Sequence, residues 1–180
     1  GHKEKLKLLK NAVDFLTLTA TPIPRTLQLS FLGLRDIALI KTPPPNRQSI
    51  KTYIIHDDLE ILRTAIINET SRGGQVFIVH NKVQDMESYV AKIRSITPAI
   101  SICFAHGQMS EVQLEKIIIE FYQGKFQVLV CTTIIESGID IPNANTMIID
   151  RADTFGLAQL HQLRGRIGRS ERKAYAYFIV

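Results

Sequence analysis

"QVFIVHNKVQDMESYVAKIRSITPAISICFA", residues 75–105, decides the fold. Gln75 to His80 is a short run, apolar through its centre on both alternating faces, as in a strand covered on both sides. Val83 to Ile96 then takes helical spacing, and Ala99 to Ala105 is a second apolar run. Strand, helix and strand within about thirty residues is the unit that builds parallel sheets, because the helical crossover returns the chain to the edge it left.

The alternation continues on both sides. Ser49 to Ile55, Phe126 to Cys131, Thr146 to Asp150 and Ala174 to Val180 read as further strands, and Leu59 to Ser71, Ser110 to Tyr122 and Phe155 to Arg169 as helices. Ser110 with Gln113 three positions on forms a capping box, and Gly73 and Gly124 stand where helices should stop. The expected fold class is α/β, a parallel sheet flanked by helices on both faces.

Residues before the proline run break this rhythm. A basic, helix-like start (Lys3 to Lys10) leads to a short strand, "FLTLT", and then to Thr21-Pro22, an N-cap and first-turn pair for a helix running to about Gly33. "TPPPNR", residues 42–47, reads as a stiff extended connector, since three consecutive prolines neither continue a helix nor join a central strand. A domain boundary is expected there: residues 1–45 as the tail of one domain plus linker, residues 46–180 as a second domain, cut short within its last strand.

Composition narrows the partners. The net charge of +5 and pI near 9.3 permit a polyanion without requiring one, but the charge is concentrated. Arg164, Arg166, Arg169, Arg172 and Lys173 face a single acid, Glu171. Cys103 and Cys131 lie in apolar runs and read as small buried hydrophobes. No disulfide or zinc spacing, signal peptide or long apolar span is present, so the cytoplasm is the default and no membrane partner is expected.

Three stretches carry chemistry. In "QLHQLRGRIGRS", residues 159–170, a continuous helix would place Leu157, Leu160, Leu163 and Ile167 within about 120° of one another, and Gln162, Arg166 and Arg169 within about 60° on the opposite side. One face would be fastened to the sheet and the other would offer planar, permanently charged forks suited to phosphate. A basic helix end complementing its own dipole accounts for the arginines but not for Gly165 and Gly168, which cost about 1 kcal/mol each inside a helix. In "VLVCTTIIESGIDIPNA", residues 128–144, a buried strand ends at Cys131, and Thr132, Thr133, Ser137, Gly138 and Asp140 fall at its carboxyl end, where open parallel sheets bind ligands. The same residue types also serve as plain turn chemistry. "AHGQMS", residues 105–110, repeats the strand-end geometry, with His106 either a ligand or an ordinary loop histidine. There is no G-x-x-x-x-G-K-[ST], so the arginines suggest half of a bipartite site.

These stretches resemble the superfamily-two helicases and translocases. Gln162, Gly165, Arg166 and Arg169 meet the Q-x-x-G-R-x-x-R core of their motif VI; "VLVCTTIIESGIDIP" resembles motif V; "LTLTATPIPRT", residues 16–26, resembles motif III; and "AHGQM" resembles the loop preceding motif V. The matches stand in the family's order. Within the superfamily, "TATPIPRT" and "FGLAQLHQLRGRIGRS" are similar to two bacterial branches, one that couples transcription to DNA repair and one that remodels replication forks, and "GLRD", "AHGQM" and "RADTFGLAQLHQL" resemble the first more.

The resemblance implies that residues 46–180 form a second RecA-like lobe, preceded by the tail of the first, in an ATP-dependent double-stranded DNA translocase. It implies ATP and Mg held mainly by the first lobe, whose Walker motifs are absent here, so that the chain alone is expected to be catalytically silent. Arg166 and Arg169 would be arginine fingers; Gln162, Gly165, Gly138 and Asp140 would line the nucleotide side; Thr132, Thr133 and His106 would grip DNA; and Thr19 and Thr21 would couple the two sites. RNA polymerase and excision-repair proteins would be engaged through regions outside this chain. From other classes, a non-catalytic nucleic-acid-binding module would not need a finger pair, and a small-molecule α/β enzyme would need an acid or base with a partner in the same cleft.

Overall fold

The computed structural model describes residues 49–133 and 141–180. The expected boundary at 42–47, Thr19, Thr21, Gly138 and Asp140 lie outside them. Six parallel strands form one sheet: β1 (Ile50–Ile55), β2 (Gln75–Val79), β3 (Ile102–Ala105), β4 (Val128–Cys131), β5 (Ala144–Ile149) and β6 (Ala174–Ile179), in the order β1-β6-β5-β2-β4-β3. The connecting helices are α1 (Leu59–Ser71), α2 (Met86–Ile96), α3 (Glu111–Tyr122) and α4 (Leu157–Arg164).

Local chemistry sets the helix ends. The Asp58 carboxylate accepts from the Glu60 and Ile61 amides at 2.8 and 3.3 Å, satisfying donors that the first turn of α1 cannot use itself. Ser110 and Gln113 form the expected reciprocal box at the start of α3. Gly73 and Gly124, at φ +76° and +78°, take the left-handed conformation that stops α1 and α3.

Strand alternation divides the core in two. Val76, Ile78, Val128, Val130 and Ile148 pack against α1 and α2, while Phe77, Leu129, Met147, Ala174 and Ala176 pack against α3 and α4. The central strands β2, β4 and β5 are buried along their whole length; the apolar runs predicted this for β4 and the centre of β2, while β5 also buries Asn145 and Thr146. Cys103 and Cys131 are buried free thiols, as expected; burial pushes Cys103 up to about 12 and Cys131 well above its ordinary value, so neither is a thiolate.

Two helices differ from the periodic reading. The helix expected from Val83 starts at Met86, after a turn that leaves the N-cap Asp85 carboxylate bonded to His80 instead of to the helix amides. The helix expected over 155–169 is only Leu157–Arg164, preceded by a 3-10 turn at Ala152–Thr154. Gly165 closes it, donating to the His161 carbonyl at 3.0 Å, and Gly168 takes φ +73°. Gln162 therefore does not share a helical face with Arg166 and Arg169. Leu157 is 73% exposed and anchors nothing, while Leu163 and Ile167 are buried.

Candidate functional site

Because every strand is parallel, functional groups sort to the two ends of the sheet. At the carboxyl ends, the ladder runs one residue past the strands: Asp150 donates its amide to Val79 O, His80 to Cys131 O and Thr132 to Ala105 O, at 2.9, 2.9 and 3.3 Å. Asp150, His80, Thr132 and His106 thus form a row across β5, β2, β4 and β3. Of the residues expected to meet DNA, His106 and Thr132 stand in this row and Thr133 directly follows it. Thr132 is buried, and His106 is half-buried over Phe104, with ring centroids 6.2 Å apart. The buried His106 Nδ1 finds no hydrogen-bond partner among the described residues.

His80 ends its strand in the sequence pattern, and the structure gives it more to do. Its Nδ1 meets Asp150 Oδ2 at 2.7 Å, its Nε2 meets Asp85 Oδ1 at 2.8 Å, and its ring stacks on Tyr89 with centroids 4.2 Å apart. Carboxylates at both ring nitrogens require two donors, which only the imidazolium supplies. Burial pulls its pKa down, but the hydrogen bonds and charges of Asp150 and Asp85 outweigh this and raise it above 6.5. The hydrogen bond from His80 lowers Asp85 below its ordinary value, against the opposing effect of desolvation. Helix α2 leaves β2 towards one face and α4 leaves β5 towards the other, so the clasp sits where connections diverge, at the mouth of a cleft of about 660 Å³. The only sequence signal was a histidine closing an apolar run with an acid five positions later.

The raised pKa fixes a pH dependence. His80 contributes fully below its unfolded value near 6.5, and its contribution is lost as pH rises through the higher folded value. Wild type is therefore expected to exceed His80→Gln in urea stability by on the order of 2 kcal/mol near pH 6, the net worth of the charged hydrogen bond to Asp150. The gap should narrow steadily above pH 7. Urea midpoints of both proteins across that range check this, and a constant gap would show that folding leaves the His80 pKa unshifted.

The arginine segment occupies the opposite end. From the carboxyl end of β5, α4 runs back to the amino end of β6, and a Cβ on Gly168 would lie 3.1 Å from Ile50 and 3.3 Å from Ala174, the first residues of β1 and β6. Gly168 thus explains itself by backbone and space, not as an exposed helix interior. Ile167 is fully buried before it; Arg166 is half-buried and Arg169 exposed on either side of this anchor. Gln162 and Gly165 are half-buried one turn earlier. Glu171 is the only acid between Gln162 and Lys173, so the segment suits an anionic ligand.

With both ends described, comparison with known proteins decides the family. The model for the helicase conserved C-terminal domain matches residues 57–171. The chain belongs to that family.

Its fold is that of a RecA-like helicase C-terminal domain. This helicase domain is 55% identical over 179 residues to the transcription-repair-coupling factor of Myxococcus xanthus, covering 99% of the chain and 15% of that protein. It is 53% identical to the corresponding factor of Haemophilus influenzae, covering 99% of the chain and 16% of that protein. A structure of RecG bound to a three-way DNA junction superposes with a TM-score of 0.74 at 37% identity, over 89% of this chain and 22% of that one. Dbp5 of S. cerevisiae bound to RNA and ADP BeF3 shares the fold, with a TM-score of 0.69 at 18% identity over 100% of this chain and 49% of that one. The helicase domain therefore spans about a sixth of the curated relatives it matches. Among the described residues no helix is long and apolar enough to cross a membrane.

Proposed function

We propose that this domain is the second motor lobe of an ATP-dependent double-stranded DNA translocase that displaces stalled RNA polymerase and couples transcription to nucleotide excision repair. The observation that carries the reading is the separation of two polar ends on one sheet. The row at the carboxyl ends, with His106, Thr132 and Thr133, suits a sugar–phosphate backbone; the amino-end arginines suit a second, separate phosphate. Gly138 and Asp140 belong to the nucleotide side in this reading, and Thr19 and Thr21 to the coupling between sites.

ATP with its Mg, held mainly by a first lobe, supplies the phosphoryl group whose hydrolysis drives the motor. The chain's own part is to bring Arg166 and Arg169 to that phosphate when the lobes close, with Gln162 and Gly165 shaping the surface that meets it. Charge stabilisation that exists only in the closed state links turnover to lobe movement. The backbone grip then advances without reading sequence, and its affinity falls with salt. RNA polymerase and repair factors are assigned to other parts of the longer protein. The identity to coupling factors, 51–55%, favours this branch over fork reversal, which the 37% identity to RecG supports as the second reading.

The test is ATP turnover by a protein extended upstream by about one domain, roughly 200 residues, with and without double-stranded DNA. The expected result is turnover that DNA stimulates, followed by displacement of a stalled polymerase by the full-length protein. Two folded lobes without turnover would overturn the motor reading and leave a binding module.

A further inference from the structure

Beside the arginine segment lies a polar network anchored on buried side chains. Asn145, in the central part of the sheet on β5, is completely buried, yet an apolar side chain there would avoid the cost of desolvating an amide. Its Oδ1 accepts from the Ser170 hydroxyl at 2.8 Å, and its Nδ2 donates to the Asn143 carbonyl at 3.2 Å. The Ser170 oxygen in turn accepts from the Arg172 amide at 3.3 Å. Ser170 directly follows Arg169.

A second tie reaches the same strand entry from α1. The Glu69 carboxylate is wholly buried and receives Arg72 Nε at 3.1 Å together with the Thr146 hydroxyl. Arg72 Nη2 goes on to the Lys173 carbonyl at 2.6 Å. Arg172 Nη1 returns to the Arg72 carbonyl at 3.1 Å. Gly74 leaves the space that Glu69 fills, since a Cβ there would collide with its carboxylate.

The chain from Ser170 to Lys173 is thereby fixed to β5 and α1, while Ile167 and Gly168 are fixed to the core and to the starts of β1 and β6. Arg169 is the residue between the two anchors. We propose that Asn145 and Ser170 are positioning residues for Arg169: their partly buried hydrogen bond sets where that guanidinium meets the phosphate. This rests on the reading that Arg169 acts on ATP. A group that stabilises a transition state must be held to about half an ångström, and a misplacement of about 1 Å costs on the order of 10²-fold in rate.

The experiment measures ATP turnover, KM for ATP, DNA affinity and melting temperature for Ser170→Ala, Ser170→Thr, Asn145→Leu and Arg169→Ala in the complete protein carrying both lobes. Ser170→Ala and Asn145→Leu are expected to lower kcat by about 10²-fold, with KM for ATP and DNA affinity unchanged. The double variant should be no worse than either single one. Ser170→Thr keeps the hydroxyl and should restore most of the rate. Ser170 is only half-buried, so its alanine variant tests the proposal even where Asn145→Leu does not fold. Normal kcat in Ser170→Ala, with Arg169→Ala inactive, would overturn the positioning role alone. Normal kcat in Arg169→Ala would overturn the arginine reading and this inference with it.

Discussion

Replacing Arg169 by alanine in the complete protein is expected to cut ATP turnover by about 10³-fold or more, the scale of an arginine that stabilises charge on a transferring phosphoryl group. That is a barrier increase of roughly 4 kcal/mol or more. Folding should change by no more than about 0.5 kcal/mol, because the side chain is exposed and its neighbours Ile167 and Gly168 supply the anchoring. DNA affinity should also hold, since the row proposed to meet the DNA backbone lies at the other end of the strands. Arg169→Lys should recover little, because a flexible point charge does not reproduce a planar fork. Turnover within a few-fold of wild type in Arg169→Ala, at saturating ATP and DNA, would remove the residue from the catalytic machinery.

The same segment shows where sequence patterns stop informing. Leu160, Leu163 and Ile167 keep helical spacing, and Leu163 and Ile167 are fully buried. Yet the helix ends at Arg164, and Ile167 reaches the core from a turn. Spacing reports which side chains are buried, not the backbone that delivers them. The glycines held the missing information: Gly168 was counted as a penalty inside a helix, whereas φ +73° and the nearness of Ile50 and Ala174 make it a requirement of the turn. The strands were legible because β2, β4 and β5 are covered on both faces, so that β4, the centre of β2 and the end of β5 appear as short apolar runs.

Side-chain networks were less legible because their members are distant in the chain. His80 and Asp150 are 70 positions apart, and Ser170 and Asn145 are 25. No local pattern pairs them, and only the strand order β5-β2, or the return of α4 to the amino end, brings them together. His106, Thr132 and Thr133 could be grouped in advance because each follows a strand, and parallel strands deliver their ends to one edge. Thr19, Thr21, Gly138 and Asp140 rest on motif resemblance alone.

Phe77→Ala is expected to be the most destabilising single change in the described core, by about 3–5 kcal/mol. Phe77 is fully buried at the centre of β2, and its ring lies against Phe121 of α3 with centroids 5.4 Å apart. Its loss leaves a void between sheet and helix that the surrounding strands, hydrogen-bonded on both sides of β2, cannot close. Stability of a domain this size is only about 5–15 kcal/mol, so the variant should lose a large share of its urea resistance. Phe77→Leu, which keeps most of the volume, should cost about 1–1.5 kcal/mol. The consequence reaches the row at the carboxyl ends of the strands as well, because β2 carries His80 at its end and α3 follows the His106 loop. Urea denaturation of the three proteins checks the order, and a Phe77→Ala cost below about 1 kcal/mol would mean that the sheet and α3 repack around the gap.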